Sequence, residues 1–355
     1  MPLPNNIKEK ISIEVIKTLV SRFESFPEDA SNNRNAPFHE AFLNAFSDKL
    51  AGRVSDIPFF ISLSSWLQGL NTTLGMTFFE NVAHYLCNGE KREYTSKKLG
   101  NCKITQTQKN IVNTIVTNLS TSAELPDMAN ENAQLFQKYN SPLVNAIDFS
   151  ADVFFEDSNS VTAIELKSVK PNSGEMRGEK MKILEGKAAL HQLFPGKEIC
   201  FYIGFPFDPT VNPANEDVTS FDKSRFLNSI INMNKYFDSE ETLIANELWD
   251  FLSGTENTMN EILDIINTIS TTDFLANYQL LRDNSRKNTP EYHTLLQEWN
   301  LYSEKSLINN NDLIQSKLNT KDLIRKFNKT AFDSKGNYDW DRYNTLKELV
   351  HDEKR

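Results

Sequence analysis

The sequence predicts an α/β fold of the α+β kind, in which a central mixed β-sheet is flanked by helices. Apolar side chains recur at helical spacing in residues 1–140 and again in residues 211–285. Between these regions, residues 141–210 follow the order strand, turn, strand, helix, strand, which places the sheet in the middle of the chain. With 355 residues and a hydrophobic content of 39%, the chain is long enough to bury a large core.

Three helices are predicted before the sheet, at residues 8–23, 73–86 and 106–119. In the first of them, apolar side chains lie one turn apart, from Ile11 through Val15 to Leu19. The sequence therefore predicts a mainly helical N-terminal region.

The strands follow. Residues 147–155 and 161–169 are rich in β-branched and aromatic side chains, and the turn-forming residues 156–160 separate them. A helix at about 176–193 and a third strand at 198–204 complete the predicted sheet region.

We expect one domain at residues 1–285, with a helical part at 1–140, the sheet core at 141–210 and a second helical part at 211–285. Beyond it, residues 286–355 are polar and rich in lysine, and we expect them to form a helical C-terminal extension.

Bulk properties exclude several classes of protein. The formal net charge of −10 and the pI of 5.2 argue against nonspecific binding to polyanions, although a local basic face remains compatible with them. Three widely spaced cysteines without a CxxC pair favour neither a disulfide framework nor a zinc site. No apolar run approaches the roughly 20 residues of a membrane span, and the N-terminus lacks the apolar core of a signal peptide. We therefore expect a cytoplasmic protein without a membrane partner.

The two strands predicted around residue 158 bring charged side chains together. If the turn is centred on Ser158 and Asn159, antiparallel pairing places Asp152 directly opposite Glu165. The alternation of side chains along a strand then puts Lys167 on the same face as Glu165. A slip of one residue in this register would turn the side chains to the other face.

Two carboxylates placed opposite each other repel, and a hard divalent cation between their oxygens makes the pair favourable. A neighbouring lysine can then orient or deprotonate a metal-bound water molecule, or stabilise charge that develops on a phosphate. The alternative is that Asp152 and Glu165 point outward from a half-exposed sheet and pair with lysines. The position of these residues between apolar neighbours favours a Mg²⁺ site for phosphodiester hydrolysis over that alternative.

The spacing of Asp152, Glu165 and Lys167 resembles the catalytic motif of the PD-(D/E)xK nuclease superfamily, although Ser150-Ala151 replaces the proline of its nominal motif. A longer segment is similar to the TdeIII-type type II restriction endonucleases, from about residue 35 to about residue 285. The most specific strings are IELKSVKPNSGEMRGEKMKILEGKAAL, GKEICFYIGFPFDPT and ELWDFLSG.

The resemblance implies a restriction-endonuclease-like fold and Mg²⁺-dependent cleavage of double-stranded DNA at GGNCC, with 5'-phosphate ends. It implies that Asp152 and Glu165 bind the metal and that Lys167 completes the catalytic set. A helix before the sheet often supplies one more carboxylate in this superfamily, which makes Glu80 a further candidate metal ligand. His84, one turn later, is interpreted as a packed or hydrogen-bonded side chain.

A basic stretch follows the predicted hairpin. Between Lys167 and Lys187, six cationic residues stand against three glutamates in a chain that is otherwise acidic. Such a run is usually a solvated helix face with charge pairing, but beside a metal site it is also suited to hold DNA phosphates. The candidate DNA-binding residues are Lys170, Asn172, Ser173, Arg177 and Lys180. Further candidates for contacts to the DNA backbone are Lys223, Arg225 and Lys235.

The expected partners are double-stranded DNA, a second copy of the chain and a cognate DNA methyltransferase. A palindromic site favours a homodimer, because two active sites then face two strands. Two alternatives remain open at this point. One is a nuclease of the same fold with a role in repair or nonspecific defence, and the other is a non-catalytic DNA-binding module.

Overall fold

The structure is a computed structural model that describes residues 1–28, 37–54, 56–167, 173–230 and 232–351. The chain divides into two compact units, and none of the chain positions at which the units meet coincides with the predicted boundary at residue 285. Unit 1 comprises Met1–Leu3 and Phe79–Glu261, and unit 2 comprises Pro4–Phe78 and Ile262–Arg355. The functional division into a nuclease domain and a C-terminal extension stays a prediction.

The strands in chain order are β1 Glu90–Tyr94, β2 Lys103–Thr105, β3 Leu143–Asn145, β4 Phe149–Glu156, β5 Ser160–Leu166, β6 Glu198–Phe205 and β7 Thr242–Ile244. The helices are α1 Asn5–Glu24, α2 Pro37–Leu43, α3 Ser47–Leu50, α4 Ile57–Thr73, α5 Phe79–Cys87, α6 Gln106–Thr121, α7 Met128–Leu135, α8 Ser173–Leu193, α9 Lys223–Ser229, α10 Met233–Tyr236, α11 Asn246–Ser253, α12 Thr258–Ile269, α13 Phe274–Leu281, α14 Pro290–Glu298, α15 Tyr302–Asn309, α16 Asn311–Ser316, α17 Lys321–Asn328 and α18 Trp340–His351.

Unit 1 contains a five-stranded mixed sheet, which confirms the predicted fold class. Its strand order is β1-β4-β5-β6-β7. β4 pairs antiparallel with β1 and β5, whereas β6 runs parallel to β5 and β7. β2 and β3 form a separate two-stranded sheet.

The register of the β4–β5 hairpin is the predicted one. Val153 pairs with Ile164 and Phe154 with Ala163, so that continuing the ladder places Asp152 opposite Glu165. Asp157 fixes the turn, because its side chain accepts hydrogen bonds from the backbone N–H groups at positions 159 and 160, at 2.7 and 2.8 Å.

β5 lies at the centre of the sheet and is covered on both faces. Val161, Ala163 and Ile164 are completely buried, as expected of a strand with helices packed on either side. α8 packs against this sheet at Gly186, where an added Cβ would lie 2.7 Å from the ring of Phe201. The glycine therefore lets the helix approach the sheet closely and brings the side chains of α8 near the ends of β4 and β5.

Unit 2 is held by apolar packing and by buried polar contacts. α1 buries an apolar stripe that includes Ile11 and Ile16. Glu9, on the same helix, accepts hydrogen bonds of 2.6 Å from the backbone and the hydroxyl of Ser303. Among the described residues, no helix is long and apolar enough to cross a membrane.

Candidate active site

Four elements of unit 1 bring charged side chains together at the end of the hairpin. Asp152 comes from β4, Glu165 from β5, Glu80 from α5 and Lys91 from β1. His84, also on α5, lies with its Nε2 2.7 Å from the backbone oxygen of Asp152, which ties the helix to the strand. The structure therefore gives His84 the packed, hydrogen-bonded position that the sequence predicts.

Asp152 is held from two sides. Its Oδ2 accepts a hydrogen bond of 3.0 Å from the backbone N–H of Leu166, across the hairpin. Its Oδ1 lies 2.9 Å from the Nζ of Lys91. The carboxylate of Asp152 is thereby held by contacts from β1 and β5, the two strands that flank β4.

Glu165 has one neutralised oxygen and one orphaned oxygen. Oε1 lies 2.7 Å from the Nζ of Lys182 and 3.2 Å from the Nζ of Lys167. Oε2 is buried and has no hydrogen-bond partner among the described residues. Burial raises the pKa of Glu165, and the nearby charge of Asp152 raises it further. The orphaned oxygen beside a second carboxylate marks a place where a cation is favourable.

Lys91 already places a cation between Asp152 and Glu80, the other two carboxylates of the site. Its ammonium lies 3.1 Å from the carboxylate of Glu80 and bridges it to Asp152. Burial lowers the pKa of Lys91, but Asp152 and Glu80 outweigh this effect and raise that pKa to about 12. Burial also raises the pKa of Glu80, and the charge of Asp152 acts in the same direction. The lysine thus compensates two carboxylates that repel each other.

Lys167 lies just beyond β5, where its backbone N–H donates to Gly204. Its ammonium lies 2.9 Å from Glu179 on α8 and 3.2 Å from Glu165. Burial lowers the pKa of Lys167, but the two carboxylates outweigh it, so the pKa of Lys167 is raised. The group therefore stays protonated near neutral pH and can donate hydrogen bonds, but it is a poor base.

α8 contributes an ion pair that the sequence-based predictions did not include. Glu179 lies 2.8 Å from Lys182, one turn along the helix. Burial raises the pKa of Glu179, but Lys167 and Lys182 outweigh it and lower that pKa. Lys182 therefore connects Glu179 to Glu165. In the sequence, only its place in the basic stretch between Lys167 and Lys187 points to a role for Lys182. For Lys91, only its position in a charged segment does so.

The donor set fits a hard divalent cation. No three carboxylate, imidazole or thiol groups converge on a metal position by themselves in the described parts of the chain. Mg²⁺ does not require this, because it binds through one or two carboxylates and completes its shell with water and phosphate oxygens. Asp152 and the unpartnered Oε2 of Glu165 are such a pair, and Asp152 lies close enough to Glu80 for its charge to raise the pKa of Glu80.

The predicted DNA-binding residues differ in how far they are exposed to solvent. Arg177 is exposed on α8, and Ser173 is the first residue of that helix. Lys170 and Asn172 lie outside the described residues. Lys180 is completely buried, with its Nζ 2.5 Å from both Glu131 and Glu241, and a contact to DNA does not fit this placement.

Two of the candidates for backbone contacts are engaged within the protein. Lys223 lies 2.7 Å from Glu247, and Arg225 lies 2.9 Å from Glu216. Both ion pairs are partly exposed to solvent, so the two cations are paired within the protein but remain accessible from its surface.

The chain is similar to known DNA-cleaving proteins. Residues 3–270 match the family model described as type II restriction endonuclease, HinfI. Over 372 aligned residues, the chain is 42% identical to the type II restriction enzyme MjaII of Methanocaldococcus jannaschii, with 99% of each chain covered. The second similarity extends through the C-terminal residues that the family model leaves out.

Proposed function

The chain belongs to the HinfI family of type II restriction endonucleases, and from this premise we propose that its catalytic centre is the carboxylate pair Asp152 and Glu165 with Lys167. The predicted type II restriction endonuclease is thereby confirmed at the level of the family. The closer assignments to the TdeIII-type enzymes and to the PD-(D/E)xK superfamily stay predictions. The observation that supports the proposal most is the buried, unpartnered Oε2 of Glu165 beside Asp152.

Asp152 and Glu165 would hold Mg²⁺, with Glu80 as a further ligand or as an acceptor for the waters of the ion. Bound there, Mg²⁺ supplies Lewis-acid stabilisation of the negative charge that develops on the phosphate. Lys182 keeps Oε1 of Glu165 neutralised, which directs the second oxygen of this carboxylate toward the cation.

Lys167 acts as a hydrogen-bond donor in this proposal. Because its pKa is raised, it donates to a non-bridging phosphate oxygen instead of removing a proton from water. A water molecule attacks the phosphorus in line and loses a proton to the surrounding solvent, the P–O3' bond breaks, and the leaving 3' oxygen takes up a proton from solvent. The products carry 5'-phosphate and 3'-hydroxyl ends. Glu179 holds Lys167 in place from α8, at 2.9 Å.

DNA would lie along the start of α8. Arg177 is the exposed cation of this helix, and the neighbouring candidates are Lys170, Asn172 and Ser173. Lys180 is left out because of its burial. The site GGNCC follows from the TdeIII-type resemblance alone. A homodimer acting on a palindromic site, a cognate DNA methyltransferase and a cytoplasmic location belong to the same proposal.

Digestion of plasmid DNA tests the proposed reaction. We expect discrete fragments with Mg²⁺ and none with EDTA. Sequencing of the fragment ends gives the recognition site, and ligation without prior phosphorylation shows 5'-phosphates. Fragments that form equally in EDTA would contradict metal-dependent hydrolysis, and ends at scattered sequences would contradict the specific site.

A further inference from the structure

Unit 2 contains a cavity of about 220 Å³ between its C-terminal helices. The lining residues that carry polar or aromatic groups include Lys287, Asn288, Asn311, Gln315, Phe327 and Arg342. All of them lie beyond residue 270, where the match to the family model ends. The cavity is therefore separate from the site on the hairpin of unit 1.

The cavity carries an uncompensated positive charge. Arg342 is only 2% exposed and forks onto Glu304, with N–O distances of 2.6 and 3.1 Å. Lys287 is half-buried, and within the described residues no carboxylate lies within ion-pair distance of it. Glu304 thus neutralises Arg342, and the ammonium of Lys287 has no carboxylate partner among the described residues.

The environment of Lys287 shows the same imbalance. Burial and the positive charge of Arg342 together lower the pKa of Lys287 to about 8, although the carboxylate of Glu304 acts in the opposite direction. Among the described groups, these are the charges that act on Lys287. An anion in the cavity would supply the missing counter-charge.

Amide side chains dominate the polar part of the lining. Asn288, Asn311 and Gln315 line the cavity, and each amide carries two N–H donors and one carbonyl acceptor. The amide nitrogen of Asn311 donates one hydrogen bond to Asp312, at 3.3 Å, which leaves its second N–H and its oxygen for a ligand. The side-chain amide of Asn284 donates to the backbone oxygen of Asn328, while its Oδ1 is buried and has no hydrogen-bond partner among the described residues. Amides of this kind match the donor and acceptor edges of nucleobases.

The remaining wall is apolar. Phe327, Leu307 and Leu346 line it, which suits the face of an aromatic ring. A second cavity, of about 520 Å³, shares Asn288, Ile308 and Asn311 with the first and is also lined by His293 and Asp312. The two cavities together offer a cation and amides at the first, a carboxylate in the second, and apolar side chains.

The charge of this part of the chain agrees with an anionic ligand. Residues 286–355 contain 13 lysines and arginines against 11 aspartates and glutamates, although the whole chain has a formal net charge of −10. This segment therefore has a formal net charge of +2, whereas the residues before it have a net charge of −12.

We propose that this cavity binds one nucleotide unit, with the phosphate on Lys287 and the base edge on the amides of Asn288, Asn311 and Gln315. The nucleotide is either free or part of a DNA strand, since the recognised chemistry is the same. The proposal does not rest on the catalytic assignment in unit 1, because no residue is shared between the two sites.

Calorimetric titration of the full-length protein tests this site. The probes are the four deoxynucleoside 5'-monophosphates, a short single-stranded oligonucleotide and inorganic phosphate, all without Mg²⁺. We expect saturable binding of one monophosphate per chain, tighter than that of inorganic phosphate. Binding by the oligonucleotide alone would place the nucleotide in a DNA strand. Equal affinity for inorganic phosphate would overturn base recognition, and no saturable binding of any probe would overturn the site.

Two substitutions localise the binding. Lys287→Met removes the charge and Asn311→Leu removes the amide at similar volume, and each is expected to weaken binding by about tenfold or more. The control Lys321→Met changes an exposed lysine of α17 that does not line the cavity, and it should leave affinity unchanged. Glu165→Gln should also bind normally, so that failure of the catalytic proposal is distinguishable. Unchanged affinity in both cavity variants would place the ligand elsewhere.

A measurement on the wild-type protein covers the case in which a variant does not fold. Because only the ammonium form of Lys287 attracts the phosphate and its pKa is about 8, affinity should fall about tenfold between pH 7 and pH 9. An affinity that is constant from pH 7 to pH 9 would contradict the role of Lys287.

Discussion

Replacing Lys91 by methionine should strengthen the binding of Mg²⁺ to the candidate active site. The ammonium of Lys91 lies 2.9 Å from Asp152 and 3.1 Å from Glu80, where it neutralises the carboxylates that the metal needs. Methionine keeps much of the apolar stem and removes the charge. The metal then no longer competes with a fixed cation.

The expected size follows from the titration of the lysine. The rise of its pKa from 10.5 to about 12 corresponds to roughly 2 kcal/mol of net stabilisation of the ammonium form. The Lys91 side chain is 39% exposed, so solvent screening reduces this to about 1 kcal/mol. A difference of about 1 kcal/mol changes a dissociation constant about fivefold.

The assay is titration of metal-free protein with Mg²⁺ in the absence of DNA, which separates metal binding from any role of Lys91 in holding the substrate. The matched control is Lys98→Met, because Lys98 is an exposed lysine whose ion pair, at 3.5 Å, is with Glu93 and includes none of the carboxylates proposed to bind the metal. We expect the Lys91 variant to bind Mg²⁺ about fivefold more tightly, and the control to bind as the wild type does. Unchanged or weaker binding in the Lys91 variant would refute the competition between lysine and metal.

Three further predictions concern stability. Burial disfavours the charged form of Glu165, so in metal-free protein the free energy of unfolding should fall as pH rises from 4.5 through the raised pKa of this residue. Urea denaturation at several pH values measures this slope, and Glu165→Gln should reduce it. Glu241→Gln leaves the fully buried Lys180 undercompensated and should cost about 3–5 kcal/mol in urea denaturation, while a cost below about 1 kcal/mol would show that the buried ion pairs are dispensable. Gly186→Ala should destabilise the protein by about 1–3 kcal/mol, because the new Cβ meets the ring of Phe201 at 2.7 Å; an unchanged melting temperature would mean that the helix shifts freely.

The sequence alone predicts the centre of the sheet and the register of its hairpin. Both depend on local signals: strongly apolar strands and a short polar turn, in which Asp157 binds the backbone of the residues that follow. Once the turn is placed, the two-residue period of strands sets Asp152 opposite Glu165. The continuation of the observed ladder agrees with this placement.

The partners supplied by distant segments could not be predicted. Lys91 belongs to β1, whose sequence EKREY has no apolar alternation and whose pairing with β4 joins residues far apart in the chain. β7 has only three residues, which is too short for the alternation of side chains to mark it as a strand. Contacts of this kind are set by tertiary packing, which a local pattern does not contain.

Lys180 shows the limit of reading charge from a helical run. A lysine among glutamates predicts a solvated face, yet its ammonium is completely buried. The reason lies in Glu131 on α7 and in Glu241 just before β7, which supply two carboxylates at 2.5 Å. Only these remote residues make the burial of the cation possible.

The account of the catalytic centre is tested most directly by single-turnover cleavage of a DNA duplex that contains the mapped site. Asp152→Asn and Glu165→Gln should each lose about 10³-fold or more in cleavage rate, equivalent to roughly 4 kcal/mol of transition-state stabilisation. Both should still bind the duplex in Ca²⁺, and the control Glu156→Gln, at the exposed end of β4, should cleave as the wild type does. Cleavage by either carboxylate variant within about tenfold of the wild-type rate would contradict the assignment of the carboxylate pair as the catalytic centre.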